Sequence, residues 1–113
     1  MTPIKRITVD VTPENVWFVE RYLNVFDFAD IFPEDAFSIG SGKGNPVTLH
    51  TDLGFDIVTD IDQTKMQIRN RSRFHGWMRW TGEKALRVGD RIVIEKLGER
   101  DYSLQFESSS NGN

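Results

Sequence analysis

The sequence predicts a mostly β protein of about seven short strands and two short helices, closed as a barrel or a sandwich. Three observations predict it. Short segments of alternating apolar and polar residues recur along the chain, the period of a half-buried strand. Turn signals built on Gly, Pro, Asn and Asp separate them at close spacing. The 113 residues are 38% hydrophobic with eight Phe and three Trp, which supplies one core and not two. The domain is expected over residues 1–107. The serine- and asparagine-rich end, residues 108–113, is expected to be a disordered tail.

Taken in order, residues 5–11 alternate, with Ile7, Val9 and Val11 on one side and Arg6, Thr8 and Asp10 on the other. Thr12-Pro13-Glu14-Asn15 is a turn. Residues 16–22 are aromatic and β-branched and read as a second strand; a helix started by Pro13 with Thr12 as its cap is the competing reading. Phe32-Pro33-Glu34-Asp35 suits a short helix with Pro in its first turn. Residues 38–46 contain three glycines and form a loop. Strands follow at 47–51 and 55–61, separated by the turn Asp52-Leu53-Gly54, and at 66–70 after the turn 62–65. Residues 73–81 make one or two helical turns, with Trp77 and Trp80 three apart on one face. The turn Val88-Gly89-Asp90 leads into strands at 91–97 and 102–106.

Composition excludes several chemistries. The chain has no cysteine, so disulfides, thiolate metal sites and cysteine nucleophiles are absent. No apolar run approaches the ~20 residues of a membrane span, and the first ten residues lack the apolar core of a signal peptide. The expectation is a soluble cytoplasmic protein without membrane contact. Net charge is −3, but it is unevenly placed. Residues 1–62 carry four Lys or Arg against eleven Asp or Glu; residues 63–113 carry ten against six. Between Lys65 and Arg79 there are five basic residues and no acid. A polyanion is met by local potential, so this run is the sharpest functional signal.

Other motifs carry less. Gly40-Ser41-Gly42-Lys43-Gly44 resembles a phosphate-cradling loop, but no Ser or Thr follows the lysine and no helix opens after it. A loop that sets Lys43 against a phosphodiester fits better than nucleotide hydrolysis. Asp60, Asp62 and Lys65 have the residue types of a magnesium-dependent nuclease, at a spacing that solvated turn residues also produce. His50 and His75 have no zinc spacing. Trp77 and Trp80 are expected in the core, and so are Trp17, Phe18 and Tyr22. Within the basic run, Arg69, Arg71 and Arg73 are donors of the kind that meet phosphate and guanine. Gln67 and Asn70 are of the kind that read adenine.

The order of these features resembles a known family. Phe32-Pro33 precedes a short helical segment; a strand-turn-strand and a basic connection follow; then come Gly76-Trp77-x-x-Trp80 and Leu86-x-x-Gly89-Asp90-x-Ile92-Val93. This resembles the DNA-binding pseudobarrel of plant B-three-type domains and of the DNA-reading domains of some restriction endonucleases, with compact bacterial restriction-modification relatives closer still. Trp80 stands where the plant domains carry Phe. The resemblance spans residues 5–106, and its specific part is 74–95. It implies a mostly β, seven-stranded open pseudobarrel with two short helices. It also implies that duplex DNA lies in a cleft between two arms, here around residues 12–16 and 60–71. The site residues so implied are Lys65, Gln67, Arg69, Asn70, Arg71 and Arg73 on the second arm. Thr12 and Asn15 lie on the first, with Lys43 near it.

The expectation is therefore a non-catalytic double-stranded DNA-binding module of bacterial or phage origin, associated with restriction-modification or transcription control, with no cofactor and no metal. The acidic, Phe-rich segment 27–37 motivates the alternative of a protein-interaction module in a defence or phage complex. Magnesium-dependent cleavage is a third reading.

Overall fold

The computed structural model describes residues 5–38, 44–68 and 76–108. Among them are eight strands: β1 Arg6–Asp10, β2 Phe37–Ser38, β3 Val47–Thr51, β4 Asp56–Thr59, β5 Ile61–Asp62, β6 Gln67–Ile68, β7 Arg91–Lys96 and β8 Asp101–Glu107. Two α-helices, α1 Val16–Val19 and α2 Trp77–Lys84, and two 3-10 helices, Phe26–Ile31 and Glu34–Ala36, complete the described elements. The strands form a five-stranded sheet in the order β1-β7-β8-β3-β4 and a three-stranded sheet in the order β2-β5-β6. The fold is mostly β and open: β1 and β4 are the ends of the larger sheet.

The step from β4 to β5 carries the chain directly from the larger sheet to the smaller. The single strand expected over 55–61 is two, β4 and β5, interrupted at Asp60. Ile57, Thr59 and Ile61 keep their inward alternation, but Asp60 between them is also buried, at 1% exposure. Its carboxylate accepts the Gly44 N–H at 2.8 Å. A strand that changes sheets at a corner must break its ladder there, and a buried acceptor for a crossing backbone donor holds that break. Gly44 fits because its backbone passes so close to the second 3-10 helix that a Cβ would sit 2.3 Å from the Ala36 carbonyl oxygen.

The core lies between the sheets and α2. Trp77, Trp80 and Tyr102 are fully buried, with Leu49, Ile61, Ile68, Ile92, Ile94 and Leu104 around them. Trp77 and Trp80 meet at 5.4 Å between ring centroids. Each indole needs a partner for its N–H when buried, and each has one: Trp77 donates to the Val19 carbonyl at 2.7 Å and Trp80 to the Asp52 carboxylate at 2.9 Å. Asp52 is a junction. The same carboxylate pairs with Lys84 at 2.9 Å and accepts the Phe106 N–H at 3.2 Å, so the β3–β4 turn, α2 and β8 meet at one side chain. The Gly-Asp turn before β7 uses Gly89 at φ +98, which glycine adopts without strain. Backbone bonds of 2.8 Å from Val11 to Asp90 and from Gly89 to Val11 fasten that turn to the end of β1.

Residues 16–22 are not a strand. They begin with α1, and both ends of that helix explain why. At its entry the Thr12 hydroxyl accepts the Asn15 N–H at 3.2 Å while the Asn15 side-chain Oδ1 accepts the Thr12 N–H at 2.9 Å, the reciprocal logic of a capping box. At its exit the Val19 and Glu20 carbonyls accept from Trp77 and from the Thr81 hydroxyl, the latter at 2.6 Å. These ties outweigh the strand preference of Val16, Val19 and Tyr22, which depends on context. A second expectation is corrected with it. Trp17 is not in the core but 67% exposed, and Phe18 and Tyr22 are half-buried.

Candidate nucleic-acid interface

The second expected arm is the hairpin of β5 and β6. Asp62 builds its turn: the carboxylate accepts the N–H groups of Thr64 at 3.0 Å and Lys65 at 3.3 Å, an Asx turn. Met66 closes it at φ 52. The hairpin is held from one side by the segment before the first 3-10 helix. Val25 donates to the Met66 carbonyl at 2.7 Å and Ile68 to the Leu23 carbonyl at 3.0 Å, and Asn24 bridges Gln67. The tip that carries Lys65 is thus clamped to the rest of the fold, which limits the ordering cost of any contact it makes.

Lys65 is exposed and Gln67 half-buried. Both line a concave surface of about 330 Å³ that also takes in Arg21, Tyr22, Ile68, Met78 and Asp62, whose carboxylate is engaged by the turn. Tyr22 is braced by Phe18, stacked at 5.3 Å. Arg21 follows α1, and Met78 lies on the first turn of α2. The surface therefore joins a cation and an amide of the hairpin with a cation and an aromatic ring from across the gap. Arg21 did not stand out in the sequence, because residues 16–22 read as a strand. Read as a helix, the segment places a cation just past its C-terminal end, where a cation is favoured and exposed.

Thr12 and Asn15 are brought together, but with each other. Besides the reciprocal pair at the entry of α1, the Asn15 amide donates to the Asp10 carbonyl at 2.9 Å. Their polar groups hold the helix start. Arg69, Asn70, Arg71, Arg73 and Lys43 lie outside the described residues, as do the end of the strand expected over 66–70, the start of the helical turns expected over 73–81 and the tail beyond 108. In sequence, the basic run continues directly from β6.

The acids of the nuclease reading each serve a turn or a corner: Asp60 holds Gly44, and Asp62 holds Thr64 and Lys65. Among the described residues no three His, Asp or Glu side chains are grouped to hold a metal ion. His50 has partners the sequence did not reveal. On β3, it pairs through Nδ1 with Asp56 of β4 at 2.9 Å and through Nε2 with Asp101 of β8 at 3.0 Å. The hydrogen bond to Asp101, then that to Asp56, raises its pKa above the ordinary 6.5. In the opposite sense, Arg100 and then Asn45 hold the Asp35 carboxyl below its usual range.

No family model matches the chain, and no curated protein matches it. Among solved structures, a hypothetical protein of Arabidopsis thaliana is similar, with a TM-score of 0.62 and 13% identity over 96% of this chain and 95% of that one. At that identity the likeness shows a shared fold across nearly the whole of both chains, and the fold alone.

Proposed function

We propose that the protein is a non-catalytic module that binds double-stranded DNA, acting in restriction-modification or transcription control. One observation carries the reading: the clamped β5–β6 hairpin presents Lys65 and Gln67 on a concave surface shared with Arg21, and the run Arg69, Asn70, Arg71 and Arg73 follows directly from it. Cations on a concave wall focus potential toward an anionic ligand. In this reading Lys65, Arg21 and the arginines of the run meet phosphates, which position the duplex, while Gln67 and Asn70 reach base edges, which specify it. The order of sequence features that resembles the DNA-binding pseudobarrel supports the same reading, as does the open, mostly β architecture.

The roles of the first arm change. Thr12 and Asn15 hold the start of α1, so its contribution to the duplex is Arg21 rather than those two. Fluorescence anisotropy with a labelled mixed-sequence duplex at low salt tests the assignment. Replacing Arg69 and Arg71 together by Ala is expected to weaken binding at least ten-fold, and Arg21→Ala to weaken it by a smaller factor. Affinity that is unchanged in the double variant contradicts the proposal.

A further inference from the structure

β1 ends the larger sheet with one edge unpaired, and the phase of its ladder can be read from two bonds. Lys96 N–H donates to the Lys5 carbonyl and Val11 N–H to the Asp90 carbonyl, both at 2.8 Å. With Arg6 opposite Glu95 and Thr8 opposite Val93, Lys5, Ile7, Val9 and Val11 turn their backbone groups toward β7. Arg6, Thr8 and Asp10 therefore turn theirs outward. Asn15 takes the Asp10 carbonyl. The N–H and C=O of Arg6 and Thr8 remain as a two-residue strand template without a partner among the described residues.

A groove of about 420 Å³ runs beside this edge, between β1 and the chain of α1 and the first 3-10 helix. Arg6, Thr8 and Val9 line it on the strand side, Asn15 at the start of α1, and Phe18, Leu23 and Phe28 give it an apolar floor with Asp27 beside them. The two most exposed aromatic residues among those described adjoin lining residues in sequence: Trp17, 67% exposed, precedes Phe18, and Phe26, 70% exposed, precedes Asp27. Trp17 is held in place, edge-on to Phe18 at 5.0 Å and with its indole N–H donated to the Glu14 carbonyl at 2.9 Å. Exposed aromatics beside a groove are what interfaces are made from. Two charged residues line the groove: Asp27 is exposed and carries no ion pair among the described residues, whereas Arg6 is paired with Glu107, as Lys5 just before the strand is with Asp30.

We propose that this groove takes an extended, basic segment of a partner protein, added as a further strand on β1. Main-chain bonds to Arg6 and Thr8 hold the segment, alternate apolar side chains cover Phe18, Leu23 and Phe28, and an intervening Lys or Arg side chain faces Asp27. The groove shares no lining residue with the surface that carries Lys65 and Gln67, so the inference stands apart from the DNA reading.

The test uses the full chain and a short peptide alternating Lys and Val, with a peptide alternating Glu and Val as control. Amide hydrogen exchange and amide chemical shifts are followed by NMR, and Trp17 by fluorescence, since Trp77 and Trp80 are fully buried. The basic peptide is expected to protect the Arg6 and Thr8 amides and to shift the Trp17 emission, the acidic one to do neither. Thr8→Pro removes an outward N–H from an edge strand, a place where proline is tolerated, and should weaken binding by about five-fold or more. Asp27→Lys, at an exposed position, should reverse the preference between the peptides. Equal affinity for both peptides, or binding that leaves the Arg6 and Thr8 amides unprotected, overturns the proposal. So does protection of those amides by raised protein concentration alone, which makes a second copy of the chain the occupant.

Discussion

Ala85 ends α2 in the left-handed region, at φ 53, with its N–H on the Thr81 carbonyl. A Cβ there costs ~1–2 kcal/mol, and glycine recovers most of it after its greater unfolded-state freedom is counted. Three residues earlier, Gly82 lies inside the helix, where an added Cβ meets nothing within 4 Å. Gly82→Ala and Ala85→Gly together leave the composition unchanged and are expected to raise stability by about 1 kcal/mol in urea denaturation. Tyr102 works the other way. Its hydroxyl, 2.7 Å from the Ile31 carbonyl, is pushed up to about 12 by burial, and Tyr102→Phe strands that carbonyl at a cost of ~1–3 kcal/mol. His50 gives a pH signature. Its folded pKa is raised above 6.5, so its contribution is full below that value and is lost as pH rises through the folded pKa. The urea midpoint of the native chain should fall over that window, and that of His50→Gln should not; identical profiles would remove the histidine from the account.

At the scale of elements, α1 is where local and tertiary preference part. Replacing Thr12 or Asn15 by Ala is expected to cost ~0.5–2 kcal/mol, as loss of a cap does, and to leave duplex affinity unchanged. An effect on affinity without one on stability would return these two residues to the interface. The same helix shows what was legible in the sequence. The alternation of β1 and β4 was visible because each buries one face and period two survives in sequence; β7 alternates in sequence too, yet Val93 is buried beside Ile92 and Ile94. The Gly89-Asp90 turn was visible because only a few residue types make it. The helical state of residues 16–19 was legible only as the competing reading, through Pro13 and the Thr12 cap, because Val16, Trp17 and Val19 favour a strand and the groups that tip the balance, Trp77 and Thr81, lie some sixty residues away. Trp17 was misplaced for the same reason: a tryptophan gives no sequence signal of which side of a four-residue helix it takes. The break at Asp60 was hidden by an unbroken alternation around it. Within the candidate interface, Lys65 and Gln67 were legible as polar residues at a turn. Arg21 was not, because it reaches the same surface from a distant segment.

For the whole molecule, the uneven charge of the sequence becomes an arrangement. The hairpin that leads into the basic run is clamped by residues 23–25, and the groove beside β1 is lined by Asp27, which has no ion pair among the described residues, and by Arg6, which is paired with Glu107. In the proposed reading, one chain of net charge −3 offers Lys65 and Arg21 to a polyanion and Asp27 to a basic segment. Both use the openness of the fold. The hairpin projects from the smaller sheet, and β1 is left as a free end of the larger one.

The most direct measurement of the central claim is the salt dependence of duplex binding. Each neutralised phosphate adds on the order of −0.9 to the slope of log K against log salt. The native chain is expected to bind a mixed-sequence duplex at low salt with a slope of several such units, and the variant with Arg69 and Arg71 replaced by Ala to lose about two of them. Absence of binding at low salt, or a slope the same in both proteins, would contradict the account.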